Sequence, residues 1–214
     1  MLKIVRLGAF LFLFAAIPAF ADVVTFNFEG LAPVSGLTSL SQTVDGVTMT
    51  ITRVGGSPFG ISDLSGSMPA ASGWGSSSLE PFDDTSNSAF IFTFSQTVSA
   101  FSVQVGDFDG DTDTQSGTAF SGANGTGTAL GTFGGTWGNG NLATDPPQTN
   151  SISEAGILSV SFIGGSPAFP NSLYYDNIMV TTASVSAVPE PGSVLLLLTG
   201  VGGLVSARLR RRSA

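Results

Sequence analysis

The chain has no cysteine and no histidine in 214 residues. Without cysteine there is no disulfide framework, no thiol nucleophile and no cysteine-based zinc site. Without histidine, Ser-His-Asp and Cys-His catalytic sites are excluded as well. Positive charge is scarce and badly distributed. The seven basic residues are Lys3, Arg6, Arg53, Arg208, Arg210, Arg211 and Arg212, so six lie at the two ends. Between Asp22 and Ala187 one base, Arg53, stands against fourteen of the fifteen acids, a charge near −13. The absence of lysine there excludes a Walker-type phosphate loop. A surface of that sign repels nucleic acid and anionic lipid and favours divalent cations. Fourteen acids make some carboxylate pair inevitable, so their number neither supports nor excludes a glycosidase.

No 3.6-residue apolar stripe runs through residues 22–182; the recurring period is two. Val24, Phe26 and Phe28 alternate with Thr25 and Asn27, and Val47, Met49 and Ile51 with threonines. Phe90, Phe92 and Phe94, then Phe101, Val103 and Val105, then Leu158, Val160 and Phe162 repeat the pattern, as do Tyr174, Asp176, Ile178 and Val180 by parity. Such alternation, rich in β-branched and aromatic residues, predicts half-buried strands. Gly, Ser, Asn and Asp clusters between them predict turns. The expected fold is all-β: a two-sheet antiparallel sandwich, a jelly roll in preference to an immunoglobulin-like arrangement. Two glycine- and serine-rich stretches, 66–78 and 117–140, read as long loops and short edge strands. Residues 183–188 read as a linker.

Three groups of residues in the domain are candidates for chemistry. Asp107, Asp109, Asp111 and Asp113 alternate directly after the strand that ends at Val105. Carboxylates so close repel one another, and calcium, which takes six to eight oxygen ligands, relieves that. The spacing is similar to the start of an EF-hand loop but departs from it, with Thr112 at the glycine position and Thr118 at the closing glutamate position. The other reading is a solvated acidic hairpin loop. Asp176 shares parity with core positions, and a buried carboxylate needs a cation. Arg53 is one candidate partner and calcium the other. Trp74, in Gly73-Trp74-Gly75, and Trp137, in Thr136-Trp137-Gly138, lie in glycine-rich stretches read as loops; they either stack on sugar faces or plug the end of the sandwich. With Glu29 after Phe28 and Asp176 before Ile178, the domain resembles calcium-stabilised jelly-roll carbohydrate-binding modules. That resemblance rests on two residues and implies calcium held by Glu29 and Asp176.

The long apolar runs are confined to the ends. Residues 1–21 have the form of a signal peptide: Lys3 and Arg6, an apolar segment from Leu7 to Ile17, and Ala19-Phe20-Ala21 before Asp22. Signal peptidase is expected to cut between Ala21 and Asp22. N-terminal sequencing of the exported protein should therefore begin at Asp22; finding Met1 retained would make the N-terminus an anchor instead. At the other end, Pro189-Glu190-Pro191 precedes an uncharged run at 192–207 and an arginine cluster at 208–212. As a helix the 16-residue run would reach about 24 Å, slightly short of a hydrocarbon core of roughly 30 Å, a gap that snorkelling arginines cover. It is expected to cross the membrane once, with the arginines in the cytoplasm.

These three parts in this order resemble the PEP-CTERM sorting tail of Gram-negative bacteria, at residues 189–214. The resemblance implies export across the inner membrane, transient anchoring by the C-terminus, and processing by an exosortase. It also implies delivery to the cell surface or the extracellular matrix in company with exopolysaccharide. A non-enzymatic surface or matrix protein is the first functional expectation. A calcium-dependent carbohydrate-binding module is the second, and a carbohydrate-active enzyme the third.

Overall fold

The computed structural model describes residues 21–67, 73–83, 85–138 and 140–183, together with Arg208. The signal segment 1–20, most of the linker, Pro189-Glu190-Pro191 and the run at 192–207 lie outside the described residues. Among the described residues no helix is long and apolar enough to cross a membrane. Residues 21–183 form one compact unit with its own hydrophobic core.

That unit is built from twelve strands: β1 (Val23–Phe26), β2 (Val34–Leu37), β3 (Leu40–Val44), β4 (Val47–Arg53), β5 (Phe59–Asp63), β6 (Ser77–Pro81), β7 (Phe90–Gly106), β8 (Thr112–Phe120), β9 (Ala129–Gly138), β10 (Gln148–Ile152), β11 (Ile157–Gly165) and β12 (Tyr174–Thr182). Their pairings are antiparallel. β3 and β4 are joined by Asp45-Gly46, with φ of 47° and 79°. Asp-Gly is the pair that tolerates two positive φ values in a two-residue hairpin, and this fixes the β3–β4 register from Leu40↔Ile51 to Val44↔Val47.

β7 makes the sandwich. Its first half pairs with β4 and β11, and its second half with β12 and β10. Phe92 and Phe101 are nine residues apart and would be separated by about 30 Å along a straight strand. Their ring centroids are 5.7 Å apart. The strand therefore turns a corner, through the exposed stretch Ser95–Thr97, and its two halves face each other across the core. A strand that changes sheets through a bend or bulge is how such corners are formed, and β11 shifts register against β7 at Ile157/Ser159 in the same region. Aromatic rings fill the space between the layers. Phe90 meets Tyr175 at 4.9 Å, Phe162 meets Tyr175 at 5.9 Å, and Phe133 stacks on Phe162 at 5.4 Å. The result is an all-β, sandwich-like antiparallel architecture.

Three local expectations are corrected. The stretch 117–140, expected as long loops and short edge strands, forms most of a hairpin, β8 and β9, with β9 at the sheet edge but 10 residues long. Glycine serves packing here, because a Cβ on Gly117 would lie 2.5 Å from the Phe133 ring and 2.7 Å from Phe162. In β12 the residue in the core is Tyr175, not Tyr174. Asn177 adopts φ 44° and the register against β7 shifts between Asp176 and Met179, so parity is not conserved along the strand. In β11 the shift beside Ile157 buries that residue fully and leaves Leu158 half-buried.

Candidate metal centre and binding groove

β7 ends at Gly106, and the chain turns into β8 through the acidic loop. Asp107, Asp109 and Asp111 each bring a carboxylate oxygen within 4.8 Å of the others. That span is about twice a calcium–oxygen distance of 2.3–2.6 Å, so one hard cation reaches all three. The loop is held from within. Asp107 Oδ1 accepts from the Phe108 and Asp109 backbone N–H groups, and Asp109 Oδ1 accepts from Asp111 N at 3.2 Å. The neighbouring turn braces it: Leu142 N donates to Asp107 O at 2.6 Å and Asn141 Nδ2 donates to Phe108 O. Two buried oxygens, Asp107 Oδ2 and Asp111 Oδ1, have no hydrogen-bond partner among the described residues. Burial pushes the Asp107 carboxyl above its ordinary value, against the Phe108 N–H, and the charge of Asp109 adds to the rise. Uncompensated carboxylate oxygens at mutual ligand spacing suit a hard divalent ion.

Asp113 does not join them. It belongs to β8, opposite Trp137 in β9, and its side chain is 0 % exposed on the inner face. Burial, then the charges of Asp107, Asp111 and Asp109, push its carboxyl up to about 7. Period-two alternation, already running at Thr112, turns the fourth aspartate inward while the loop keeps the other three.

Glu29 and Asp176 are brought together by the segment 75–77. Gly75 N donates to Asp176 Oδ2 at 3.2 Å, Ser76 Oγ to Glu29 Oε2 at 2.7 Å, and Ser77 N to Glu29 Oε1 at 2.9 Å. Gly75 leaves room for the Glu29 carboxylate, since a Cβ there would stand 1.8 Å from Glu29 Oε1 and displace it. The Ser77 N–H lowers the Glu29 carboxyl; burial raises Asp176 to about 6, with Gly75 and Asn177 N–H groups opposing and Glu29's charge assisting. Arg53 is engaged at another place. Its Nε donates to Ser88 O at 3.0 Å, Nη1 to Pro58 O at 2.7 Å and Nη2 to Ser86 Oγ at 2.9 Å, and the guanidinium lies over Phe90. Of the two candidate partners for Asp176, Arg53 is held at Pro58, Ser86 and Ser88, and Asp176 accepts from the Gly75 N–H.

Neither tryptophan is a free loop platform. Trp74 is 7 % exposed, with its Nε1 donating to Ser78 Oγ. Trp137 is a half-buried residue of β9 packed over Gly140, where a Cβ would fall 1.9 Å from its ring. The open aromatic surface lies elsewhere. A groove of about 350 Å³ is lined by Glu80, Asp107, Phe108, Asp109, Phe169, Ser172 and Tyr174. An adjoining one of about 500 Å³ shares Glu80 and Tyr174 and includes Phe82. Phe82 and Phe169 are each 46 % exposed, and Phe108 stands edge-on to Tyr174 at 5.5 Å. Sequence reasoning missed these residues. The signal was there: Phe82 and Phe169 are lone aromatics beside prolines in turns, Pro81-Phe82-Asp83 and Phe169-Pro170. Asp107 and Asp109 belong both to the acidic cluster and to the groove wall.

No protein-family model matches the chain, and no curated protein sequence matches it. Among solved structures it is similar to the K2 cleaved adhesin domain of Lys-gingipain, at 18 % identity and TM-score 0.42, covering 75 % of this chain and 100 % of that one. The K3 cleaved adhesin domain of Lys-gingipain from Porphyromonas gingivalis W83 aligns at 13 % and 0.37, over 71 % and 100 %. The catalytic domain of a GH87 α-1,3-glucanase in complex with tetrasaccharides aligns at 14 % and 0.39, over 81 % of this chain and 30 % of that one. At these TM-scores none of the likenesses carries a function to this chain.

Proposed function

We propose that the chain is an exported, non-enzymatic protein of the cell surface or extracellular matrix. Its tail is read by an exosortase. Its domain, a sandwich of jelly-roll type, holds neutral polysaccharide in the groove at Tyr174, with calcium in the Asp107–Asp109–Asp111 cluster. The observation that supports this most directly is that Asp107 and Asp109 serve the cluster and the groove together. Aromatic faces at Phe108, Phe169 and Tyr174 offer apolar surface to sugar C–H groups, and Glu80 offers acceptors to hydroxyls. Calcium, when bound, would hold the loop and supply coordination to hydroxyl oxygens. A domain near −13 selects against anionic polymers, nucleic acid included.

Titration of the exported protein with neutral polysaccharides by calorimetry tests the reading. Binding is expected in calcium and at least about tenfold weaker in chelator. Tyr174→Ala should weaken it by up to about tenfold, as an aromatic contact is worth roughly 0.5–1.5 kcal/mol, while Trp74, enclosed in the domain, should not be titratable by sugar in fluorescence. No binding to any neutral polysaccharide in calcium would sink the carbohydrate part. Release of reducing ends during the titration would overturn the non-enzymatic part, since the groove does hold several carboxylates.

A further inference from the structure

Among the described residues, the buried polar atoms without partners gather most densely at one place. The inward face of β8 begins with Asp113 and Gln115, 0 % and 3 % exposed, and β10 contributes Asn150 at 4 %. Both oxygens of Asp113, both amide atoms of Gln115, Oε1 of Gln148 and Nδ2 of Asn150 are buried without a hydrogen-bond partner among the described residues. The three carboxamides converge over Gly135 of β9. A Cβ placed there would meet Gln148 Nε2 at 3.1 Å, Asn150 Oδ1 at 3.8 Å and Gln115 Oε1 at 3.9 Å. Asp113 lies two residues before Gln115 on the same face of the same strand.

Polar atoms left dry in such a place each destabilise the fold by about 1–3 kcal/mol. Native interiors satisfy them with protein, water or an ion. The three carboxamides supply neutral donors and acceptors, and their oxygen and nitrogen ends exchange by a flip. Ionised, Asp113 supplies only acceptors and needs positive charge. The protein does not provide it: Arg53 is the single base between Asp22 and Ala187, and its guanidinium is committed at Pro58, Ser86 and Ser88. One carboxylate together with Asn and Gln carbonyl oxygens is a donor set that calcium accepts and that softer metals do not prefer.

We infer that Asp113, Gln115, Gln148 and Asn150 form a second, buried calcium site inside the sandwich, separate from the surface cluster of Asp107, Asp109 and Asp111. It deepens the calcium part of the reading above and is independent of the sugar part. The separation follows from geometry: the three loop carboxylates close to within 4.8 Å of one another and Asp113 is not among them. A single ion at ordinary calcium–oxygen distances does not span more than about that width.

The test is calcium stoichiometry of the full chain in detergent, by equilibrium dialysis and elemental analysis, with no sugar present. Two ions per chain are expected. Asp109→Asn should release the surface ion and retain the buried one. Asp113→Asn should do the reverse, as should Asn150→Leu, which replaces a carboxamide by an apolar group of similar size. In chelator Asp113→Asn and Asn150→Leu should melt higher than the parent, because the first removes an uncompensated buried charge and the second an uncompensated polar group. One ion in the parent chain would overturn the proposal without recourse to any variant. So would two ions retained in both Asp113→Asn and Asn150→Leu, which would place the second ion outside the chamber. Failure of sugar binding with two ions present would strike the functional reading and leave this site standing.

Discussion

At pH 8 and fixed ionic strength, the domain is expected to melt roughly 5–10 °C higher in calcium than in chelator. A ligand that binds only the native state adds RT ln(1 + [L]/Kd), about 2.7 kcal/mol at a hundredfold excess over Kd. For a domain of this size that corresponds to the stated rise. The difference should depend on pH, and the sign follows from the buried acids. Burial raises Asp113 to about 7 and Asp176 to about 6, and raises Asp107 as well. A carboxyl with a raised folded pKa contributes stability that is complete below its unfolded value near 3.8. That contribution is lost as pH rises through the folded value. In chelator, stability should therefore fall between about pH 4 and pH 8. Glu29 and Asp63 are shifted the other way, so their contribution is lost only at more acid pH, below their ordinary values of 4.5 and 3.8. Calcium competes with protons for the same oxygens, so its stabilisation should grow as pH rises. Melts from pH 5 to pH 8, with and without calcium, measure both effects. Superimposed curves in the two conditions would mean that neither acidic site binds the ion.

The other large effect concerns the tail. In the native host, Glu190→Ala is expected to convert a processed, released or surface-delivered protein into a full-length precursor held in the membrane. Pro189 and Pro191 cannot continue a helix or a central strand, and each restricts the residue before it to extended conformations. From the sequence, Glu190 is expected in an extended stretch just before the uncharged run at 192–207. The arginines at 208–212 oppose translocation of the end of the chain. Removing the carboxylate leaves the expected membrane span unaltered and takes away the one charged group of the Pro189-Glu190-Pro191 motif. Intact mass and cell fractionation of parent and variant read the outcome. Identical mature masses and identical locations would separate this tail from the sorting signal it resembles. An arginine-to-serine variant of residues 208–212, expected to mislocalise without being cut, separates loss of recognition from loss of membrane orientation.

What the sequence determined by itself is local and compositional. The absence of cysteine and histidine removed whole classes of catalyst, and one base among fourteen acids pointed to cations. Period-two alternation predicted β1, β4, β7, β11 and β12, because successive side chains of a strand point to opposite faces. Val24/Phe26/Phe28, Val47/Met49/Ile51 and Phe90/Phe92/Phe94 are all buried as expected. Of the four aspartates grouped by their spacing, Asp107, Asp109 and Asp111 lie within 4.8 Å of one another and Asp113 does not join them.

Tertiary structure decided everything that depends on a distant strand. A bulge moves parity by one residue, so Tyr175 displaced Tyr174 from the core and Ile157 displaced Leu158. β7 reads as two alternating segments, yet only its pairing with four different strands bends it until Phe92 meets Phe101. The hairpin of β8 and β9 carries few large side chains to reveal a period; pairing with β11 orders it. Asp113 looked like the fourth member of a loop and became an interior residue because β8 starts one position earlier, at Thr112. The groove at Tyr174 joins residues from β6, β12 and two loops, which no spacing along the chain encodes. A carboxylate's neighbours are chosen by folding, and its chemistry follows from those neighbours rather than from its place in the sequence.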